Sequence, residues 1–168
     1  IDLYDRKMIG WSLSNGMNTE ETTLSAWKMA TRNRSVQKGL IFHSDRGVQY
    51  ANKKFANTIE SYEVIRSMSR KGNCWDNAVA ESFFKSLKTE LIYGNKLITK
   101  QQMELEIFEY IEIWYNKKRR HSALNYKTIE EFNVTLKTID TSHYPKNSKV
   151  LMEKALQELD SIQNIRSE

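Results

Sequence analysis

The chain has 168 residues, of which 26 are Lys or Arg and 21 are Asp or Glu, so its formal net charge is +5. Its 39% of apolar and 11% of aromatic residues are typical of one folded domain and exclude a disordered chain. The single cysteine excludes an intramolecular disulfide and a cysteine-based metal cluster. The most apolar long segment contains Glu109 and Glu112, so no membrane-spanning helix is predicted.

The first half of the chain alternates predicted strands and helices. Apolar residues predict a strand at residues 7–14, where Gly10 marks a close backbone approach. Capping residues and two acids predict a helix that begins at Asn18 or Thr19 and runs to about Arg34. Two short apolar runs predict strands at residues 40–44 and 64–68, with a helix at 52–62 between them.

The second half is predicted to be helical. Asp76 or Asn77 is expected to cap a helix that runs to about Ile92. Two further helices are predicted, one from Thr99 to about residue 118 and one at 129–136 with a capping box at its start. The polar segment 140–148 predicts a boundary, followed by a final helix at 150–165. Together the elements predict an α/β domain with a mixed sheet.

Two carboxylates stand where a metal site would be expected. Asp45 ends an apolar strand, and Glu81 lies in a helix, with 35 residues between them. Carboxylate oxygens at a strand end and on a facing helix are ligands that Mg²⁺ prefers. The alternative is that Asp45 only starts a turn and Glu81 is a solvated helix residue.

Cations accompany both the second carboxylate and the end of the longest helix. Lys85 and Lys88 follow Glu81 by four and seven positions, so the three residues share a helix face. This pattern suits a substrate that carries phosphates, whereas a simple Glu–Lys pair is the alternative. A second basic run follows two aromatic residues and suits a nucleic-acid backbone or, alternatively, a solvated helix end; its cations are Lys117, Lys118, Arg119 and Arg120.

Two long blocks, residues 43–50 and 67–84, resemble bacterial insertion-sequence transposases of the retroviral-integrase superfamily. Residues 2–12 and 115–126 match further segments of that family, so the resemblance covers about residues 1–135. It implies a ribonuclease-H-like fold, in which a mixed sheet is flanked by helices. Asp45 and Glu81 would be the second and third members of an Asp-Asp-Glu triad that binds two Mg²⁺ or Mn²⁺ ions.

The resemblance also implies the activity and the partners. The family cleaves and joins DNA strands by phosphoryl transfer, so the expected partners are the DNA ends of the element, the target DNA and further copies of the chain, in the bacterial cytoplasm. The expected DNA-binding residues are Arg70, Lys71, Lys85, Lys88, Lys117, Lys118, Arg119 and Arg120. The expected supporting residues are His43, Asn73, Asp76 and Asn77. For His43 a supporting or structural role is expected, and a position near the metals is the alternative.

The sequence departs from the family at its N-terminus. The first Asp of the triad belongs to the first, central strand, which would precede Ile1, and neither Asp2 nor Asp5 matches that position. We therefore expect residues 1–138 to be a truncated catalytic core that is inactive alone, and residues 139–168 to be an unrelated polar linker and helical tail. The alternatives are a non-catalytic DNA-binding or transposase-binding remnant that acts as an inhibitor, and a nuclease of the ribonuclease-H type.

Overall fold

A computed structural model describes residues 1–93 and 99–138. In the described residues, three helices have π-helical extensions: Glu20–Leu24 precedes the helix Ser25–Asn33, Lys88–Ile92 follows the helix Ala78–Leu87, and Tyr110–Lys118 follows the helix Lys100–Glu109. Short 3-10 turns occur at Cys74–Asn77 and Ser122–Leu124. The helices are α1 (Ser25–Asn33), α2 (Val48–Ala51), α3 (Lys53–Glu60), α4 (Ala78–Leu87), α5 (Lys100–Glu109) and α6 (Ile129–Thr138), and the strands are β1 (Ile41–Ser44) and β2 (Ile65–Met68).

The two strands form a parallel pair, which confirms both predicted apolar strands. Ile41 lies opposite Ile65, and Ser44 lies opposite Met68. Helices α2 and α3 lie between the strands in the chain, as parallel pairing requires a crossover connection. Because parallel strands end at the same edge, the residues that follow Ser44 and Met68 emerge side by side.

The predicted strand at residues 7–14 is wrong, because this segment forms neither a helix nor a strand. The side chain of Asn116 accepts a hydrogen bond from Met8 N (2.9 Å) and donates one to Met8 O (3.0 Å). Asn33 donates to the backbone oxygen of Ile9 (2.9 Å). Amide side chains therefore supply partners that a neighbouring strand would provide. Within the described residues the fold is mixed α/β, and its sheet consists of β1 and β2.

Two groups of buried apolar residues hold the described chain together. One lies between α1, α3 and the sheet and is built on Trp27, Phe55 and Ile59. The other joins α4 to the long helix that starts with α5, and it includes Met8 from the N-terminal segment. Its other buried members are Phe83, Leu91, Ile107, Tyr110, Ile111 and Tyr115.

The predicted helix starts are confirmed in most cases. Thr99 forms a capping box with Gln102, and Thr128 forms another with Glu131. The prediction for α4 is wrong in detail: Asn77 is at the N-cap position, but its side chain accepts no hydrogen bond from the helix, and the carboxylate of Asp76 binds Arg70 instead.

The predicted linker and final helix, residues 139–168, lie outside the described residues. Of the helices in the described ranges, none has the length and apolar character needed to cross a membrane.

Candidate metal and nucleic-acid site

Asp45 follows β1 directly and its side chain is exposed at the carboxyl edge of the sheet. Its Oδ1 accepts a hydrogen bond from the backbone N–H of Gly47 (2.8 Å), which closes a tight turn. A Cβ atom at Gly47 would lie 2.9 Å from the same oxygen, so glycine is the residue that leaves this carboxylate in place. The sequence position of Asp45 at the strand end is thus confirmed.

The ends of β1 and β2 are tied together by side chains on either side of Asp45. His43 is hydrogen-bonded through Nδ1 to Ser67 Oγ (2.9 Å) and through Nε2 to Ser69 Oγ (3.1 Å). Arg46 donates from Nε to the backbone oxygen of Ser69 (2.9 Å). His43 therefore helps to hold the backbone that carries Asp45.

Arg70 and Asp76 bring the start of α4 to this edge. The carboxylate of Asp76 accepts hydrogen bonds from Arg70 N (2.8 Å), Nε (3.0 Å) and Nη2 (2.8 Å). These bonds hold the pKa of Asp76 well below its usual range and raise the pKa of Arg70. Because Arg70 adjoins Ser69, which bonds both strand ends, α4 begins close to the edge where Asp45 lies.

Glu81 lies in the first turn of α4, exposed to solvent, and Lys85 and Lys88 are exposed further along the same helix. Among the described residues, none of these three side chains has a hydrogen-bond or ion-pair partner. The alternative of a Glu81–Lys85 ion pair is therefore wrong, and the three charges remain open to solvent. Lys71, in the loop before α4, is exposed in the same way.

The second basic run divides into two exposed cations and two that bind other residues. Lys117 and Lys118 are exposed at the end of the long helix. Arg119 donates to Ser86 Oγ (3.2 Å) and Glu90 Oε1 (3.2 Å), and its guanidinium lies 5.8 Å from the centroid of the Tyr115 ring. Arg120 donates to Tyr126 O (2.9 Å) and to Glu131 (3.4 Å).

Glu90 was not predicted as a site residue from the sequence, whereas its partner Arg119 was expected to bind DNA. Its carboxylate accepts hydrogen bonds from Tyr110 (2.8 Å), Trp114 (3.3 Å) and Arg119. Desolvation raises its pKa most strongly, but the bonds from Tyr110, Trp114 and Arg119 together outweigh it and lower the pKa. Of the two neighbouring aromatic residues, Tyr115 is buried and Trp114 is 45% exposed.

Asp2 and Asp5 do not supply an open carboxylate. Arg34 binds both, with 2.8 Å between its Nη2 and Asp5 Oδ2, and Asp5 is 1% exposed. Across residues 1–93 and 99–138, no three His, Cys, Asp or Glu side chains are grouped closely enough to hold a metal ion. Asp45 and Glu81 are both exposed.

Comparison with known proteins places this arrangement in a family. Residues 1–74 match one model described as an integrase core domain, and residues 81–136 match a second model with the same description. These two segments contain Asp45 and Glu81, respectively. The integrase core domain is thus the class that the sequence defines, and the mixed α/β fold is consistent with it.

The relatives that match at high identity are transposases. Over 132 residues, or 79% of the chain, it is 42% identical to the transposase of insertion sequence IS904 from Lactococcus lactis, of which it covers 52%. It is also 42% identical over 132 residues to transposase InsF of IS3A from Escherichia coli K12, of which it covers 46%. The chain spans about half the length of these curated relatives. It belongs to the family of insertion-sequence transposases with an integrase core domain.

Proposed function

We propose that this chain takes part in DNA transposition and integration, by metal-dependent phosphoryl transfer that cleaves and joins DNA strands. In this proposal Asp45 and Glu81 bind the metal, and DNA is the partner. One observation carries it: an exposed carboxylate follows β1, and the helix that carries a second exposed carboxylate begins at the same edge of the sheet. Active sites of open α/β sheets are found at this edge.

The donor chemistry fits Mg²⁺ or Mn²⁺. Both ions prefer oxygen ligands, and Mg²⁺ is usually held by one or two carboxylates with water and substrate phosphates. Asp45 and Glu81 would hold one ion in this way. The two-ion site implied by the resemblance requires another acidic ligand, and neither Asp2 nor Asp5 serves, because Arg34 binds both of them.

Each residue of the site has a proposed role. When bound, the metal supplies Lewis acidity to the phosphate and activates the attacking hydroxyl. His43 and Arg46 fix the strand end that carries Asp45, and the Arg70–Asp76 pair fixes the start of α4. Lys85 and Lys88, which have no partner among the described residues, would neutralise phosphates of the DNA backbone. Asn73 and Asn77 belong to the turn that leads into α4.

The wider architecture is part of the same proposal. We assign the chain a ribonuclease-H-like fold, supported by the parallel pair β1–β2 and the helices that connect its strands. We also expect copies of the chain to assemble on DNA ends and target DNA, as the DNA-bound state of the family would require. Sedimentation of the protein with and without DNA measures this assembly.

A supercoiled plasmid tests the proposed function. The proposed function predicts that the protein, incubated with plasmid and Mg²⁺ or Mn²⁺, nicks the DNA and that Asp45→Asn or Glu81→Gln abolishes nicking. This result would contradict the expectation, drawn from the sequence, that the chain is inactive alone, whereas absence of nicking would agree with that expectation. Glu109→Gln, which removes an equally exposed helical carboxylate, is the matched control and should leave nicking unchanged.

A second candidate function is non-catalytic binding to DNA or to another transposase chain. Two observations favour it. Exposed cations are available to bind phosphates, and the described residues contain no group of three side chains that could hold a metal ion. Salt-sensitive DNA binding without metal-dependent nicking would support this second function against the first. Absence of any DNA binding by the protein would contradict the first function and the DNA-binding form of the second, and would leave only binding to another transposase chain.

A further inference from the structure

Trp75 is the most exposed large apolar side chain in the described part of the protein. It is 83% exposed, compared with 7% for Trp27 and 45% for Trp114. Among the described residues, its ring packs against no other aromatic ring and no cation. Aromatic side chains bury a large apolar area when they find a partner, so a tryptophan this exposed is free to bind one.

The backbone of Trp75 is held in place although its side chain is not buried. Its N–H donates to Oδ1 of Asn73 (3.0 Å), and its carbonyl oxygen accepts from the N–H of Ala78. The next residue, Asp76, is held by three hydrogen bonds from Arg70. The turn at Cys74–Asn77 therefore presents the indole from a fixed main chain, which reduces the entropy lost when a ligand binds.

The segment that leads to Trp75 in the chain is polar and cationic. The turn joins the edge of the sheet near Asp45 to the start of α4, which carries Glu81. Lys71, in the preceding loop, is exposed and has no partner among the described residues. An exposed aromatic ring with a nearby unpaired cation is typical of single-stranded nucleic-acid binding, where the ring stacks on a base and the cation binds the backbone. An interface for another protein would instead centre on a contiguous apolar core.

We infer that Trp75 stacks on an unpaired DNA base beside the Asp45–Glu81 site. This inference rests on the proposed DNA-processing function and adds a preference for DNA in which the base pairing is open next to the phosphate that reacts. The indole would hold the separated base, and Lys71 would bind the adjoining phosphate.

Binding to two DNA probes tests the inference. The probes are a blunt duplex and the same duplex with a short single-stranded thymidine extension, and fluorescence anisotropy measures both affinities. Trp75→Ala is expected to weaken binding of the extended probe about tenfold and to change binding of the blunt duplex less than about twofold. Trp75→Phe, which keeps a stacking ring, should restore most of the affinity. Tyr93→Ala removes a 75%-exposed ring that follows the Lys88–Ile92 extension of α4, and it is the control.

Tryptophan fluorescence provides an independent readout. Stacking should quench part of the emission of the wild-type protein when the extended probe is added, and Trp75→Ala should lose that quenching. Equal affinities of Trp75→Ala and wild type for the extended probe would overturn the stacking role, as would an equal loss of affinity for both probes. If the wild-type protein binds neither probe, the proposed DNA function itself fails, and the inference fails with it.

Discussion

Asn116 and His121 are buried polar residues that hold parts of the chain far apart in sequence. Asn116 is 3% exposed, and its amide bonds both backbone groups of Met8, which lies 108 positions earlier. His121 is 6% exposed, with its ring against Tyr115 (4.9 Å between centroids) and its Nε2 3.4 Å from Tyr115 O. Both belong to the segment that resembles the family near residues 115–121, so part of that signature stabilises the fold.

The amide of Asn116 is expected to contribute strongly to stability. Asn116→Ala would leave the N–H and C=O of Met8 without these partners, so the free energy of unfolding should fall by about 2 to 4 kcal/mol. Urea denaturation followed by circular dichroism measures the change. Lys117→Ala alters the adjacent, exposed residue and should shift stability by less than about 0.5 kcal/mol. A loss equally small for Asn116→Ala would contradict the role of the amide.

His121 is expected to make stability depend on pH. Burial lowers its pKa from the ordinary value of 6.5, and Arg119 and Arg6 act in the same direction, whereas the bond to Tyr115 O opposes them. Because the unfolded chain then binds a proton more readily than the folded one, stability should fall as the pH drops below about 6.5. The pKa values of Glu90 and Asp76 are also lowered, so these groups add to the loss only in more acidic solution.

Urea midpoints measured between about pH 7.5 and about pH 5.5 test this dependence, since histidine is the one side chain that titrates there without perturbation. The lowered pKa of the Ile1 amine also falls toward this range, so the comparison with a histidine variant is needed. His121→Gln should have a shallower pH dependence than the wild type, whatever its absolute stability. His43→Gln is the matched control, and its stability should keep the pH dependence that His121 causes. An unchanged slope in His121→Gln would contradict the argument.

At the level of elements, local patterns predicted most of the secondary structure. Strands β1 and β2 and the capped helices follow from short apolar runs, helical spacing and capping residues, which act over a few positions. The segment 7–14 was misread because a strand also needs a partner backbone, which no local pattern reveals. The predicted capping role of Asp76 is wrong for a related reason: the guanidinium of Arg70 competes for the carboxylate.

Gly10 was predicted to mark a close approach, and it lies against α1. A Cβ atom there would be 2.2 Å from Ala26 O and 2.7 Å from Ala30 Cβ, so alanine would push the N-terminal segment away from the helix. Gly10→Ala should lower the free energy of unfolding by about 2 to 3 kcal/mol. Gly16→Ala is the control, because nothing lies within 4 Å of its added Cβ. Thermal denaturation should separate the two variants, and equal stabilities would refute the packing argument.

Across the whole molecule, positive charge is divided between structural and available cations. Arg34, Arg119 and Arg120 bind carboxylates, whereas Lys71, Lys85, Lys88, Lys117 and Lys118 are exposed without partners among the described residues. The sequence predicts that both Asp45 and the basic runs belong to the site, and it also predicts the strand end that holds Asp45. The sequence does not reveal that the arginines bind carboxylates while the lysines stay exposed. The partner of Arg119, Glu90, lies 29 positions away in the chain, so no local pattern shows the pair.

This division predicts different effects of removing each kind of cation on DNA binding. Removing one side chain that neutralises a phosphate should reduce the slope of log K against log salt concentration by about 0.9, so Lys85→Ala with Lys88→Ala should reduce it by about 1.8. The free energy of unfolding of this double variant should stay within about 0.5 kcal/mol of the wild-type value, since both side chains are exposed.

Arg119→Ala should have the opposite effects. It should lower the free energy of unfolding by about 1 kcal/mol, because its bonds to Glu90 and Ser86 are removed, and it should leave the slope nearly unchanged. Titrations of duplex DNA at several salt concentrations, combined with urea denaturation, measure both quantities. A slope reduced as much by Arg119→Ala as by the double lysine variant would show that the arginine also binds phosphate and that its bond to Glu90 does not withdraw it from DNA.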